Sequence, residues 1–244
     1  MSTQETFERI TRPFGAHQKE AAEATPRRTL RPLLLAIVLD CTESMTPFIQ
    51  GMILALDGFL AILESAAFQV KVGLVLYRDE RIGEMPELHE IGVPVAELRR
   101  ILKGVKAQGG GDVPESALPA TMRAIELLSA CPDARAHRVV LHITDAPPHL
   151  DEGPTPESVT AALLQNGITY CACAPREIGV YVGFANSTGG WLSSIQEGLT
   201  PEQIRDSLLT LAYKTVSITL PSHDPELGAE MKGAVRDALQ KEES

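Results

Sequence analysis

Residues 32–44 read PLLLAIVLDCTES, an unbroken apolar run that stops at an acidic, hydroxyl-bearing turn. Successive side chains of a strand point to opposite sides of its sheet, so apolar residues at every position predict a strand covered on both faces. The run is too short for a buried helix, which needs about ten residues or more. A strand covered on both faces requires helices above and below it, and the rest of the chain offers them.

Over residues 47–67, Ile49, Ile53, Leu56, Leu60 and Leu63 recur at spacings of three and four, predicting an amphipathic helix. Val70, Val72, Leu74 and Leu76 then alternate toward Tyr77-Arg78-Asp79, a second strand. Residues 88–95 read as a short edge strand and residues 95–106 as a helix. Gly109-Gly110-Gly111 breaks the pattern. Asp112-Val113-Pro114-Glu115 is expected to open the next helix, with Leu118, Met122 and Ile125 inward. Pro119 then either costs that helix a backbone bond or shifts its start.

Residues 138–144 and 168–174 are two more buried strands, with a helix over 155–166 between them. Thr200-Pro201-Glu202-Gln203 is a capping box ahead of Ile204, Leu208 and Leu211. Residues 216–220 are expected to add a last strand. The polar stretch 1–30 reads as a flexible leader, 31–221 as one domain, and 222–244 as a docked amphipathic helix carrying Leu227, Met231, Val235 and Leu239. Strands alternating with helices predict an α/β fold: a doubly wound, mostly parallel, Rossmann-like sheet with helices on both faces and one short antiparallel edge strand. In such sheets ligands gather outside the carboxyl ends of the strands.

Composition narrows the function. Of 244 residues, 44% are hydrophobic and 22% charged, an ordinary globular balance. Asp plus Glu number 32 against 22 for Lys plus Arg, and the net charge of -10 argues against nucleic acid or an anionic membrane as the main partner. Cys41, Cys131, Cys171 and Cys173 lack metal-type spacing and read as free thiols of a reducing compartment. Arg27-Arg28 precedes the apolar run as in an export signal, but Asp40 ends that run early and no small-x-small cleavage site follows. The expected location is cytoplasmic.

The turn after the first strand carries the chemistry. Asp40, Thr42 and Ser44 alternate, so three oxygen-bearing side chains can project to one side. Hard divalent cations prefer such donors and keep several waters. Asp145 ends another buried strand, and Asp112 follows a glycine loop able to carry it to the same mouth. Glu43, Met45, Asp79 and His149 are the candidate rim for a partner. Taken singly, Asp40 and Asp145 are better read as helix caps, and Asp112 equally well as a cap or a ligand; Asp79 reads better as a surface or turn residue, His149 as a loop residue, His142 as a satisfied core histidine and Trp191 as packing.

Asp40-x-Thr42-x-Ser44 after an apolar strand resembles the metal-ion-dependent adhesion site of von Willebrand factor A-type (vWA) domains. In order, Val72-Gly73-Leu74 with Tyr77-Arg78-Asp79, Gly109-Gly110-Gly111-Asp112-x-Pro114-Glu115, Ile143-Thr144-Asp145-Ala146-Pro147-Pro148-His149 and Thr188-Gly189-Gly190 extend the resemblance over residues 32–220. It implies that Asp40, Thr42, Ser44 and Asp145 are ligands of Mg2+, with Mn2+ or Ca2+ as alternatives. Asp112 stands where adhesion-type members carry threonine, and either binds the ion directly, as the similar loops of intracellular members suggest, or serves through water. A third carboxylate would leave the bound ion less attractive to an acidic ligand.

The resemblance implies a non-catalytic module of intracellular bacterial type. It would bind a protein partner through the cation, in a chaperone-like, stress-response or metal-resistance assembly. Two other readings compete. One is a Mg2+-dependent aspartyl-phosphate phosphatase with Asp40 as nucleophile, which wants a second acid where Thr42 stands. The other is a relative whose site is unused and which associates through its leader or closing helix.

Overall fold

The computed structural model describes residues 32–65, 70–110, 113–195 and 199–218. The expected leader and closing helix lie outside them, and so does Asp112. Among the described residues six strands form one sheet: β1 (Leu33–Asp40), β2 (Val70–Tyr77), β3 (Glu87–His89), β4 (His137–Ile143), β5 (Ile168–Ala174) and β6 (Leu192–Ser194). Their order is β3-β2-β1-β4-β5-β6. All neighbours are parallel except the β2–β3 pair, which is antiparallel. The doubly wound sheet and its antiparallel edge strand are as expected.

Among the described residues six α-helices cover the sheet: α1 (Thr46–Ser65), α2 (Val95–Gly104), α3 (Ala117–Ser129), α4 (Pro156–Gln165), α5 (Gly179–Thr188) and α6 (Pro201–Ile218). All eight side chains of β1 are buried, and its alternation divides the core. Leu33, Leu35, Ile37 and Leu39 face α1, α2 and α6 through Met52, Leu98 and Leu208. Leu34, Ala36 and Val38 face α3, α4 and α5 through Leu128, Leu163 and Phe184. Each buried leucine of β1 stabilises the fold by roughly 2–5 kcal/mol relative to alanine.

The helix starts follow local chemistry. Thr155 Oγ1 accepts from Ser158 N while Ser158 Oγ accepts from Thr155 N, capping α4. At α6, Gln203 Oε1 accepts from Thr200 N and Thr200 Oγ1 from Gln203 N, the expected capping box.

Three expectations change. The helix expected at Asp112 begins only at Ala117, because the backbone of Glu115 bonds the loop after β4 instead: Glu115 N donates to Pro147 O, and His149 N to Glu115 O. The shifted start leaves Pro119 in the first turn, where no intrahelical donor is needed. Residues 216–218, the start of the strand expected over 216–220, continue α6, and 219–220 lie outside the described residues. Finally, α5 and β6 stand where no element was expected.

Because β1 lies between β2 and β4, the chain winds away from it in opposite directions. The crevice at the carboxyl ends of β1 and β4 is the topological switch point. Asp40 ends β1 there, and Asp145 follows β4.

Candidate functional site

Asp40 is fully buried, and its carboxylate is held from three sides. Thr42 N and Thr42 Oγ1 donate to Oδ1 over 2.9 and 2.7 Å, and Thr144 Oγ1 donates to Oδ2 over 2.7 Å. Burial pushes the Asp40 carboxyl above its ordinary range; the Thr42 and Thr144 bonds pull it back, and nearby Asp145 adds to the rise. Thr42 Oγ1 lies 3.2 Å from Ser44 Oγ. Ser44 Oγ in turn donates to Asp145 Oδ1 over 3.0 Å. Thr42 bonded to Asp40 and Ser44 bonded to Asp145 are thus two hydrogen-bonded pairs, with their hydroxyl oxygens 3.2 Å apart at the switch point.

The glycine loop lies against these pairs. Gln108 N donates to Cys41 O, and Glu43 N to Gly109 O. Arg78 anchors the base of the loop by donating to Gln108 O and Lys106 O. Gly110 takes a φ of +77°, and a Cβ there would meet Glu115 Oε1 at 2.9 Å and Thr42 Cβ at 3.0 Å. Only glycine gives both that backbone angle and that approach.

Glu115 stands behind the loop, 4% exposed. Desolvation, with Asp40, Asp79, Glu84 and Asp145 near it, pushes its carboxyl up to about 8. Thr144 and Glu115 were not among the expected site residues. Thr144 was legible as the residue between a buried strand and its terminal aspartate. Glu115 was hidden by the expectation that it lay in a first helical turn.

A scan against protein-family models matches none. An ariadne-like RING finger protein of Acanthamoeba polyphaga mimivirus is 26% identical over 115 residues, covering 47% of this chain and 11% of that protein. The chain therefore spans about a tenth of that relative's length. The solved VWA domain of SpRpn10 superposes with a TM-score of 0.56 at 11% identity, covering 73% of this chain and 95% of that one. The fold is that of a vWA domain. At that identity the likeness concerns the fold alone.

On this vWA fold the expected rim divides. Glu43 is exposed at the mouth. Met45 is fully buried and packs in the core with Phe48 and Ile49, so it is no part of a rim. Asp79 is buried too, rather than on the surface. It caps the turn after β2 by accepting from Arg81 N and also accepts from Ser116 Oγ. His149 is buried, its Nε2 lying 3.4 Å from Asp79 Oδ1 without a hydrogen bond among the described residues. Both residues brace loops beneath the mouth.

Those loops also expose large apolar side chains. Ile82 and Met85 follow β2, Val113 lies in the glycine loop and Leu150 follows β4; all four are exposed, Met85 by 68%. Arg81 pairs with Asp151 and Gly110 N donates to Glu84, tying the three loops together.

His142 is the satisfied core histidine expected, between Tyr77 Oη at 2.9 Å and Tyr170 Oη at 2.6 Å. Trp191, expected in packing, is partly exposed under Lys214 Nζ. Cys41, Cys171 and Cys173 are buried and Cys131 is partly buried, and none of the four forms a disulfide. Among the described residues no three His, Cys, Asp or Glu side chains cluster as a metal cage. No described helix is long and apolar enough to cross a membrane.

Proposed function

We propose that this chain is a non-catalytic interaction module that binds a divalent cation, Mg2+ first, through Asp40, Thr42, Ser44 and Asp145, and binds a protein partner there. The observation that carries the reading is the convergence of two carboxylates and two hydroxyls at the switch point, Thr42 bonded to Asp40, Ser44 to Asp145, and the two hydroxyl oxygens 3.2 Å apart. The donor set fits the ion: all are oxygens, and two carboxylates balance a divalent charge while leaving room for water. The vWA fold supports an interaction role, and the exposed Ile82, Met85, Val113 and Leu150 supply an apolar border for it. Asp112, on the adjoining loop, is proposed as a further carboxylate donor. Its charge directs the site toward a partner group other than a carboxylate.

The role of the residues is to hold the cation and orient a partner, and the cation would supply a coordination position for a partner's oxygen. Thr42, bonded to Asp40, offers no acid to protonate a leaving group, and this favours binding over the aspartyl-phosphate route.

Affinity capture with full-length protein in Mg2+ and in chelator tests the reading. A partner retained only in Mg2+, lost with Asp40→Ala and weakened by Met85→Glu, is the expected result. Magnesium-dependent phosphate release from a phosphatase substrate, lost with Asp40→Asn, would overturn it in favour of an enzyme. A cytoplasmic bacterial setting, in a chaperone-like or stress-response assembly, belongs to the same proposal.

A further inference from the structure

A cavity of about 340 Å3 opens between the β2–β3 edge of the sheet, the last turn of α2 and the segment leading into the glycine loop. Sites for small molecules begin at about 300 Å3. Neither Asp40 nor Asp145 lines the cavity, so it is separate from the proposed cation site. Leu76, Ile101 and Val105 give it an apolar wall, and Arg78, Arg100 and Lys106 bring three cations to it. In a chain with 32 acidic and 22 basic side chains, that gathering runs against the composition.

Two of the three cations have no acidic partner. Arg78 is half-buried, yet its guanidinium meets only neutral carbonyls: Nε donates to Gln108 O over 2.8 Å and Nη2 to Lys106 O over 3.2 Å. Its Nη1 makes no hydrogen bond among the described residues. Lys106 is exposed, and its ammonium makes no ion pair among them either. Arg100 is held by Glu97 through Nε and Nη2, which leaves its Nη1. Glu97 and Glu87, the latter 2.9 Å from His89 Nε2, oppose an anion, but both are exposed to screening water. The negative end of α2 attracts cations, but the carbonyls that Arg78 bonds lie beyond that helix.

We propose that this cavity is a site for a small phosphate monoester, its phosphoryl group on Arg78, Lys106 and Arg100 and its organic body against Leu76, Ile101 and Val105. A phosphate monoester carries close to two negative charges at neutral pH, matching the two cations without an acidic partner. Guanidinium groups present planar donor forks to phosphate oxygens, and lysine adds a point charge. The apolar wall rewards an organic body by removing it from water, which inorganic phosphate cannot exploit.

The test is a titration of isotope-labelled full-length protein with phenyl phosphate in metal-free buffer, read by amide chemical shifts, with inorganic phosphate and benzoate as comparison probes. Saturable shifts at Ile101, Gly104 and Lys106 are expected, with phenyl phosphate binding about tenfold tighter than either comparison probe. Lys106→Gln removes an exposed ammonium without disturbing packing and should weaken phenyl phosphate about tenfold. Lys103→Gln removes a neighbouring exposed charge outside the cavity and should bind as wild type does. Equal weakening by the two variants would mean diffuse attraction and overturns the site. Benzoate or inorganic phosphate binding as tightly as phenyl phosphate overturns the assignment to a phosphate monoester. Shifts that do not saturate, or that centre on Asp40 and Asp145, overturn the proposal as well.

Discussion

Ser44 Oγ donates to Asp145 Oδ1 over 3.0 Å, joining loops whose residues lie 101 positions apart in the chain. The bond exists because β1 and β4 are neighbours in the sheet, so their carboxyl-terminal loops open side by side. A cation bound by both loops stabilises the folded state by mass action. At a concentration 100 times its dissociation constant the gain is about 2.7 kcal/mol, and a domain of this size gains roughly 2–4 °C per kcal/mol. Thermal unfolding in Mg2+ and in chelator should show that increment for wild type, a reduced one for Ser44→Ala and none for Asp145→Ala. Equal increments in all three would remove Asp145 from the site.

Gly110 and Gly83 both have positive φ, +77° and +87°, but differ in surroundings. A Cβ at Gly83 meets nothing within 4 Å, whereas one at Gly110 meets Glu115 and Thr42. Gly83→Ala should cost only the backbone term, about 1–2 kcal/mol. Gly110→Ala should cost more, up to about 3 kcal/mol, and also weaken cation binding by displacing Thr42. Chemical denaturation of the two variants compares the costs. Equal destabilisation would mean that Thr42 and Glu115 give way freely.

The apolar run 33–39 and the alternation from Val70 made β1 and β2 legible, since burial on both faces or one leaves a direct trace in residue order. Asp40, Thr42, Ser44 and Asp145 were legible because strand ends in a doubly wound sheet share one edge. Other features had no such trace. Helix α5 contains Gly179 and Gly183 and buries only Tyr181, Phe184 and Ala185, so its apolar spacing is too sparse to read. Strand β6 is three residues long. Asp79 looks like a surface charge in one dimension. Its burial depends on Ser116 and His149, which reach it from distant loops. The exposure of Ile82, Met85, Val113 and Leu150 left no trace because they are scattered along the chain.

Met45 adjoins Ser44 in sequence, yet its side chain turns into the core beside Phe48, Ile49 and Met52. Met45→Ala should therefore destabilise the domain by about 2–5 kcal/mol, as buried methionine truncations do. Exposed Glu43→Ala should stay within about 0.5 kcal/mol of wild type. Denaturant midpoints measure both. Partner or cation binding per folded molecule should be unaffected by Met45→Ala; a loss of binding without loss of stability would return Met45 to the rim.

His142 couples the core to acid. Its ring is enclosed by Tyr77, Tyr170 and Tyr181, and burial pushes its protonation down to about 3. A neutral imidazole has one donor and one acceptor nitrogen, so one tyrosine hydroxyl donates to it and the other accepts. Protonation would break one of those bonds and bury a charge. At pH 7 the ring is neutral in both folded and unfolded chains and adds no pH dependence. Below the ordinary histidine value of about 6.5 the unfolded chain takes up a proton that the folded one refuses. Stability is therefore lost as pH falls from about 6.5 toward 3, by about 1.4 kcal/mol per pH unit and on the order of 5 kcal/mol in all. Urea unfolding at pH 7, 6 and 5 should show wild type losing about one proton's slope more than His142→Gln, whatever the variant's absolute stability. Parallel slopes would place the imidazole in contact with water.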